Sequence, residues 1–380
     1  MLAGLLLNGS PMSTSAARRL SVLASVVATL FGCVAGAHET DADEVDVVAD
    51  AGTDSEREAA IDSGALEDEP DGDEPDDGGP GRDEPDAGPV DVPDAPPADA
   101  DDAGPATIPG PKLKLMTFNV RVGTAADGPN AWSLRKGLVF DVFKKEDADL
   151  VGLQEDLRFQ LQEIADAVPG YGRIGVGARD GKAAGEHCAI LYRKSTLALK
   201  ESGAFWLSGK PEVPGSATWG NEHPRVVTWG RFAVKATGYE LYLYNTHFDH
   251  QSQNAREKSA VLLMSRIRAR SPKAPFAMMG DLNVQEDNVV TRFFKGKAQI
   301  DGNENPIPLF DTFRVLHPDD PDARTAHGFG GATRGQKIDY VYTQTKDVRG
   351  ARIVHYNVDG RYPSDHYPVV ATVKFPAVAE

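Results

Sequence analysis

From residue 111 onward the sequence predicts an α+β domain in which sheets are covered by helices. Three observations carry this. Strand-like apolar runs outnumber helical patterns, the two do not alternate as regular βαβ units, and run after run ends in a polar or titratable residue. About 270 residues are enough to bury a sizeable core, and no internal repeat divides them.

Taken in order, 113–120 reads as a strand ending in Asn119-Val120-Arg121, followed by a Gly/Asp/Pro-rich loop at 123–130. The spacing of Leu134, Leu138, Val139, Val142 and Phe143 predicts a helix over 131–146 with that face inward. Residues 149–154 form a short apolar strand delivering Gln154-Glu155. A helix over 156–167 turns Leu157, Leu161 and Ile164 inward. Strands follow at 189–192, 198–206, 225–235 and 239–246, then a helix at 254–270 with Ala260, Leu263, Met264 and Ile267 on its inner face. A strand at 276–280, a helix near 288–295 and strands at 337–343, 348–357 and 368–375 complete the domain.

The first 110 residues are of another kind. Arg18-Arg19 precede an apolar run from Leu20 to Leu30, too short to cross a bilayer of about 30 Å as a helix. Residues 1–37 therefore read as an export signal. The run ends in Leu30-Phe31-Gly32-Cys33, similar to a bacterial lipobox, with Cys33 as the lipidated residue; simple cleavage near Ala35 or Ala37 is the alternative. Residues 38–105 hold 26 acidic residues against two arginines, rich in Pro and Gly, and 38–110 reads as a disordered, self-repelling spacer. The expected location is the cell envelope, on a lipid anchor at Cys33 or secreted, with no other membrane contact. Although the whole chain carries −17, the acidic tract accounts for it and 106–380 is mildly basic, about +5. Negative net charge thus does not exclude a phosphate-bearing substrate. With Cys33 lipidated, Cys188 has no partner for an intramolecular disulfide.

The strand ends carry the chemistry: Asn119, Glu155, Glu186, Arg225, Asn245, His247, Asp281, Asn283, Asp339, Asp365 and His366. Carboxylates converging at one sheet edge repel unless a cation sits among them, and all-oxygen ligation favours Mg²⁺ or Mn²⁺, with Ca²⁺ a further candidate, over zinc. Two histidines with separate carboxylate neighbours suit acid/base work. Metal, histidines and amide donors together fit hydrolysis of a phosphate ester. The rival readings are local: an Asp capping a helix, or Asn245 closing a turn. His250, His187, Asp249 and Arg121 flank the motifs. Trp219 is a candidate for stacking on a substrate base, and Gly328-Phe329-Gly330-Gly331 reads as a mobile rim.

The ordered set T-F-N-V-R (117–121), G-L-Q-E (152–155), G-E-x-x-A-I-L-Y-R (185–193), P-R-x-x-T-W (224–229), N-T-H-F-D-H (245–250), G-D-L-N (280–283), K-I-D-Y-V (337–341) and P-S-D-H-Y-P-V (363–369) resembles the endonuclease/exonuclease/phosphatase superfamily, in a secreted bacterial flavour. The resemblance implies the deoxyribonuclease I fold, a four-layer α/β/β/α sandwich of two packed mixed sheets flanked by helices. It implies Glu155 as principal metal ligand with Asn119 and Asp365 at or near the ion. His366 and Asp339 form one acid/base pair, and His247 the other with Glu186 as its orienting carboxylate. Asp281 activates water, Asn283 donates to the phosphoryl oxygen, and Arg225 and Asn119 contact substrate phosphate. A monomer hydrolysing phosphodiesters in a nuclease-like manner, by in-line attack of water, is expected. A small-molecule or lipid phosphoesterase, of sphingomyelinase or inositol-phosphatase kind, is the alternative, and an inactive surface binding module the third reading. The sequence has no long basic insertion to grip duplex DNA and no apolar hairpin for lipid extraction.

Overall fold

A computed structural model describes residues 107–379; the expected export segment, Cys33 and the acidic spacer lie outside the described residues. The elements in order are β1 (Thr107–Ile108), β2 (Lys112–Asn119), α1 (Trp132–Glu146), β3 (Leu150–Gln154), α2 (Arg158–Ala167), β4 (Tyr171–Ile174), β5 (Ile190–Arg193), β6 (Leu197–Trp206) and β7 (Val226–Val234). There follow β8 (Glu240–His247), α3 (Gln253–Ala269), β9 (Phe276–Asp281), α4 (Val289–Phe294), β10 (Phe310–Asp311), α5 (Thr312–Leu316), β11 (Asp339–Thr343), β12 (Val348–Ile353), β13 (Val369–Lys374) and β14 (Val378–Ala379).

Two six-stranded mixed sheets result, ordered β12-β13-β2-β3-β5-β4 and β10-β11-β9-β8-β7-β6. Each has one parallel pair at its centre, β2–β3 and β8–β9, joined over the outer face by a crossover helix, α1 or α3. β1 pairs with β14, so the described chain ends meet.

Side-chain alternation makes the sandwich. Leu113 and Leu115 of β2, Leu241 and Leu243 of β8, Ala277 and Met279 of β9 and Val341 of β11 meet between the sheets. Their neighbours face outward: Met116 and Phe118 pack with Val139, Val142 and Phe143 of α1, and Tyr242, Tyr244, Phe276 and Met278 with Leu263, Met264 and Ile267 of α3. The layers are therefore helix, sheet, sheet, helix. The same parity has a consequence for the site. Asn119, Gln154, Asn245, His247, Asp281 and Asp339 continue the inward-facing series at the strand ends, so they face the space between the sheets.

Three details differ from the sequence expectation, and a fourth stretch gains a role. In α1, Leu134 is exposed and Leu138 only half-buried, while Arg135 takes the inward position with Trp132, Val139, Val142 and Phe143. Leu157 is the N-cap of α2 and half-buried, not part of its inner face. Strand β4 and helix α5 have no counterpart in the sequence reading, the first being a half-exposed edge strand and the second a five-residue helix. The Gly328–Gly331 stretch turns back on itself through Gly331 N–H donating to His327 Nδ1 at 3.2 Å, and His327 N and Gly328 N donate to the Asp365 carbonyl. That stretch braces the Asp365 loop. Among the described residues no helix is long and apolar enough to cross a membrane.

Candidate active site

Two glycines allow the strand ends to come together. A Cβ on Gly152 would lie 2.5 Å from Asn245 Oδ1, and one on Gly280 (φ +150°) would lie 2.0 Å from the Thr246 carbonyl. Asn245 uses that approach to pin one sheet to the other: its Nδ2 donates to the Leu153 and Ala189 carbonyls and its Oδ1 accepts from Gln154 Nε2 at 2.7 Å. Asn245 is thus structural, but by bridging the sheets and not by closing a turn. Glu155 (φ +61°), Arg121 (φ +58°) and Asn283 (φ +51°) hold left-handed backbone, which costs of order 1–3 kcal/mol at a non-glycine residue. Strain of this kind persists where the surroundings fix it, and here the surroundings are hydrogen bonds to Asn119, Val122 and Asp281.

One cavity of about 280 Å³ is lined by Glu155, Glu186, Arg225, His247, Asp281, Asn283, Asp365 and His366, together with Arg121, Val122, His223 and His250. Asn119 and Asp339 stand behind it, buried. Asn119 Nδ2 donates to Glu155 Oε1 at 2.9 Å and to Asp281 Oδ2 at 3.1 Å, and its Oδ1 accepts from Arg121 N at 2.9 Å. The amide oxygen is therefore held by the backbone and the amide nitrogen by the two carboxylates, so Asn119 orients Glu155 and Asp281.

The two histidines sit in opposite environments. His366 Nδ1 is 2.9 Å from Asp339 Oδ2 and 3.8 Å from Asp281 Oδ2, which leaves Nε2 free of these carboxylates. Burial works against charging the ring, but Asp339, then Asp281 and Asp365, overcome it and hold His366 well above the usual imidazole range. His247 has donors on both sides: Arg225 Nη1 is 3.0 Å from Nδ1 and Asn283 Nδ2 is 2.9 Å from Nε2. Burial, and then the Arg225 charge, push its pKa well down. An arginine cannot accept a hydrogen bond, so Nδ1 is the acceptor and the ring proton belongs on Nε2, 3.5 Å from Asp281 Oδ2. Asn283 Nδ2 also donates to the Phe248 carbonyl at 3.1 Å.

Glu186 does not orient His247 directly. Its Oε2 is 4.0 Å from Nδ1, and the Arg225 guanidinium stands between, donating to Glu186 Oε2 at 3.3 Å. The sequence expectation of a Glu186–His247 pair is corrected to a Glu186–Arg225–His247 chain. Arg225 enters because β7 starts at Val226, so residue 225 lies at the mouth of its own strand.

Among the carboxylates, burial first and then Asp339 push the Asp281 carboxyl up, against His366 and the amides of Asn283 and Asn119. Asp365 is likewise raised by burial and by Glu155, against His366 and Arg121. Asp281, Asp339 and His366 each offer a ligand atom within 4.8 Å of the others, but His366 Nδ1 and Asp339 Oδ2 already serve one hydrogen bond. Glu155 and Asp365 on the cavity wall repel one another, as Glu155 and Glu186 do, but Glu186 already has Arg225 beside it, and a divalent cation suits the Glu155–Asp365 pair.

Two contributors escape the sequence reading. Arg135 is 1% exposed and donates to four backbone carbonyls: Val120 at 2.7 Å, Pro363 at 2.8 Å, and Asn130 and Arg121 at 2.9 Å. It ties the end of β2 to the loop carrying Asp365 and His366, and Ser364 Oγ adds a bond to the Asn119 carbonyl at 2.7 Å. The available signal is an arginine on the helical stripe 135–139–142. His223 is exposed at the cavity mouth and stacks on His250, ring centroids 6.3 Å apart. Trp219 packs against the α3 layer and is absent from the cavity wall.

The model of the Endonuclease/Exonuclease/phosphatase family matches residues 116–366. An endonuclease/exonuclease/phosphatase from Bacteroides vulgatus is 31% identical, covering 71% of this chain and 100% of its own, with a TM-score of 0.62. An endonuclease/exonuclease/phosphatase family protein from Bacteroides thetaiotaomicron is 29% identical over 70% and 98% of the two chains, TM-score 0.61. A mannosyl-6-phosphatase from Bacteroides thetaiotaomicron is 30% identical over 69% and 100%, TM-score 0.62. No curated protein matches.

Proposed function

Since the chain belongs to the endonuclease/exonuclease/phosphatase family, we propose that it is a divalent-metal-dependent hydrolase of phosphate esters, acting by in-line attack of water on phosphorus. The observation that supports this most is the His366–Asp339 hydrogen bond beside Asp281, with His247 and Asn283 on the same cavity wall. A cation held by Glu155 and Asp365 would neutralise charge on the phosphoryl oxygens. Asp281, raised towards neutrality by burial, receives the proton of the attacking water at Oδ2. His366 gives its Nε2 proton to the departing alkoxide as the bond from phosphorus breaks. His247 Nε2–H and the Asn283 amide donate to non-bridging oxygens, and Arg225 adds charge and fixes the His247 ring. In this reading the two histidines divide the work, one as acid and one as neutral donor.

The cavity size and the relative named as a mannosyl-6-phosphatase favour small phosphate esters over the nuclease-like phosphodiesterase. The test is a panel with the full chain and Mg²⁺, Mn²⁺ or Ca²⁺: p-nitrophenyl phosphate, bis-p-nitrophenyl phosphate, a hexose 6-phosphate, single-stranded DNA and sphingomyelin. Turnover abolished by EDTA and by His366→Ala supports the reading. A panel with no turnover in any metal overturns it.

A further inference from the structure

Glu186, released from the role of orienting His247, stands on the wall between two cavities. The first is the catalytic one. The second, of about 310 Å³, is reached past Val122, Glu186 and His223, which line both. Its far side is a loop held in shape by its own hydrogen bonds: Ala178 N donates to the Glu186 carbonyl, Arg179 N to the Ala184 carbonyl, and Asp180 Oδ1 accepts from Lys182 N and Ala184 N at 2.8 and 2.9 Å. The Trp206 indole holds the Ala178 carbonyl at 2.6 Å. The second cavity is therefore built before any ligand arrives.

Its chemistry is specific. Glu186 Oε2 is engaged by Arg225, but Oε1 has no hydrogen-bond partner among the described residues, and neither has the Arg179 side chain. Glu186 is a free acceptor of hydroxyl protons and Arg179 a free donor. A nucleobase needs an aromatic platform, and no Phe, Tyr or Trp lines the cavity. An acyl chain needs a predominantly apolar wall, which a carboxylate and a guanidinium deny it. At about 310 Å³ the cavity lies at the small end of ligand sites, the size for one ring.

Resting on the phosphoesterase reading above, we propose that this second cavity is the subsite for the alcohol portion of the substrate. Its occupant is a single polyhydroxylated ring, the sugar of a sugar phosphate, with Glu186 Oε1 accepting from its hydroxyls and Arg179 donating to them. The phosphoryl group and the bridging oxygen sit in the catalytic cavity with His366, and the carbon that carries that oxygen passes between Glu186 and His223. Glu186 and Arg179 are specificity residues in this assignment.

The test compares kcat/KM for a hexose 6-phosphate, p-nitrophenyl phosphate and thymidine 5′-monophosphate, using the full chain with its preferred cation. Wild type favours the hexose phosphate. In Glu186→Gln and Arg179→Ala the ratio of hexose phosphate to p-nitrophenyl phosphate falls about tenfold, the worth of one charge-assisted hydrogen bond, with the change mainly in KM. Thr124→Trp, which narrows the second cavity from an exposed position, lowers the same ratio. Calorimetry with the free hexose in the presence of inorganic phosphate gives a readout independent of turnover: wild type binds it and Glu186→Gln binds it more weakly. Equal loss on all three esters in Glu186→Gln, or a wild-type preference for the aryl ester or the nucleotide, overturns the subsite while leaving the phosphoesterase reading intact. Absence of any turnover overturns both.

Discussion

Arg225 donates to His247 Nδ1 across 3.0 Å, so among the described residues the charged neighbour that touches this imidazole nitrogen is a cation. A histidine next to an arginine is a poor place for a proton. Replacing Arg225 with Met removes the repulsion and lets the ring titrate nearer 6.5, whereas in the wild type it stays neutral well below that pH. An NMR titration of the His247 ring measures the difference, and an unchanged midpoint would rule out the guanidinium charge as a cause of the shift. Activity in Arg225→Met falls about 10- to 100-fold, the loss expected for a hydrogen bond to a charged group.

Asp339 acts through His366. Asp339→Asn removes the carboxylate that keeps the ring charged, so kcat drops by about 10²- to 10⁴-fold while the melting temperature changes little. The alkaline limb of the pH–rate profile moves to lower pH, because the acid that must stay protonated gives up its proton sooner. A residual rate with an unshifted limb would assign the proton to another group.

His327 links stability to acid. It is 8% exposed, stacked on Tyr367 at 3.9 Å, and burial pushes its pKa down to about 4. The unfolded chain takes up this proton first, so its contribution is complete above about 6.5 and is lost as pH falls towards about 4, at most about 3 kcal/mol. In His327→Phe, urea midpoints at pH 7 and pH 4.5 lie closer together than in the wild type. An equal gap in both proteins would remove His327 from the acid response.

Lys337 is fully buried, 2.6 Å from Asp311 Oδ2 and 3.3 Å above the Tyr340 ring centroid. Asp311→Asn leaves that ammonium only Glu286, at 4.0 Å, and costs about 3 kcal/mol, read as a drop in the urea midpoint, while Lys337→Met with Asp311→Asn, which keeps an acceptor at the N-cap of α5, recovers most of the loss. A single variant as stable as the double would mean that the pair is not what holds the segment before Asp339.

The parts legible in the sequence are those that depend on one strand at a time. The alternation in β2, β8, β9 and β11 announces both faces of both sheets, and the same parity explains why Asn119, His247, Asp281 and Asp339 converge. Relationships among three elements are not legible in this way. Whether Glu186 or Arg225 touches His247 depends on how the 177–186 loop, the start of β7 and the end of β8 meet, and each segment alone is compatible with either contact. Leu134 and Arg135 exchange their expected places for a related reason. A helical stripe of leucines looks like a core face until the neighbouring loop offers four carbonyls that only a guanidinium can satisfy.

The β1–β14 pairing also fixes how the domain can be presented. β2 runs from Lys112 to the cavity at Asn119, and β13 runs back from Val369 beside Thr117 to Lys374 beside Lys112. Thr107 and Ala379 therefore meet at the end of the sheet farthest from the cavity, about 25 Å away by strand rise. A resin or a fused reporter joined directly at either residue sits at the opposite end of the sheet from the cavity. Immobilisation through Thr107 or Ala379 should leave the free mouth as accessible to a dissolved ester as it is in solution.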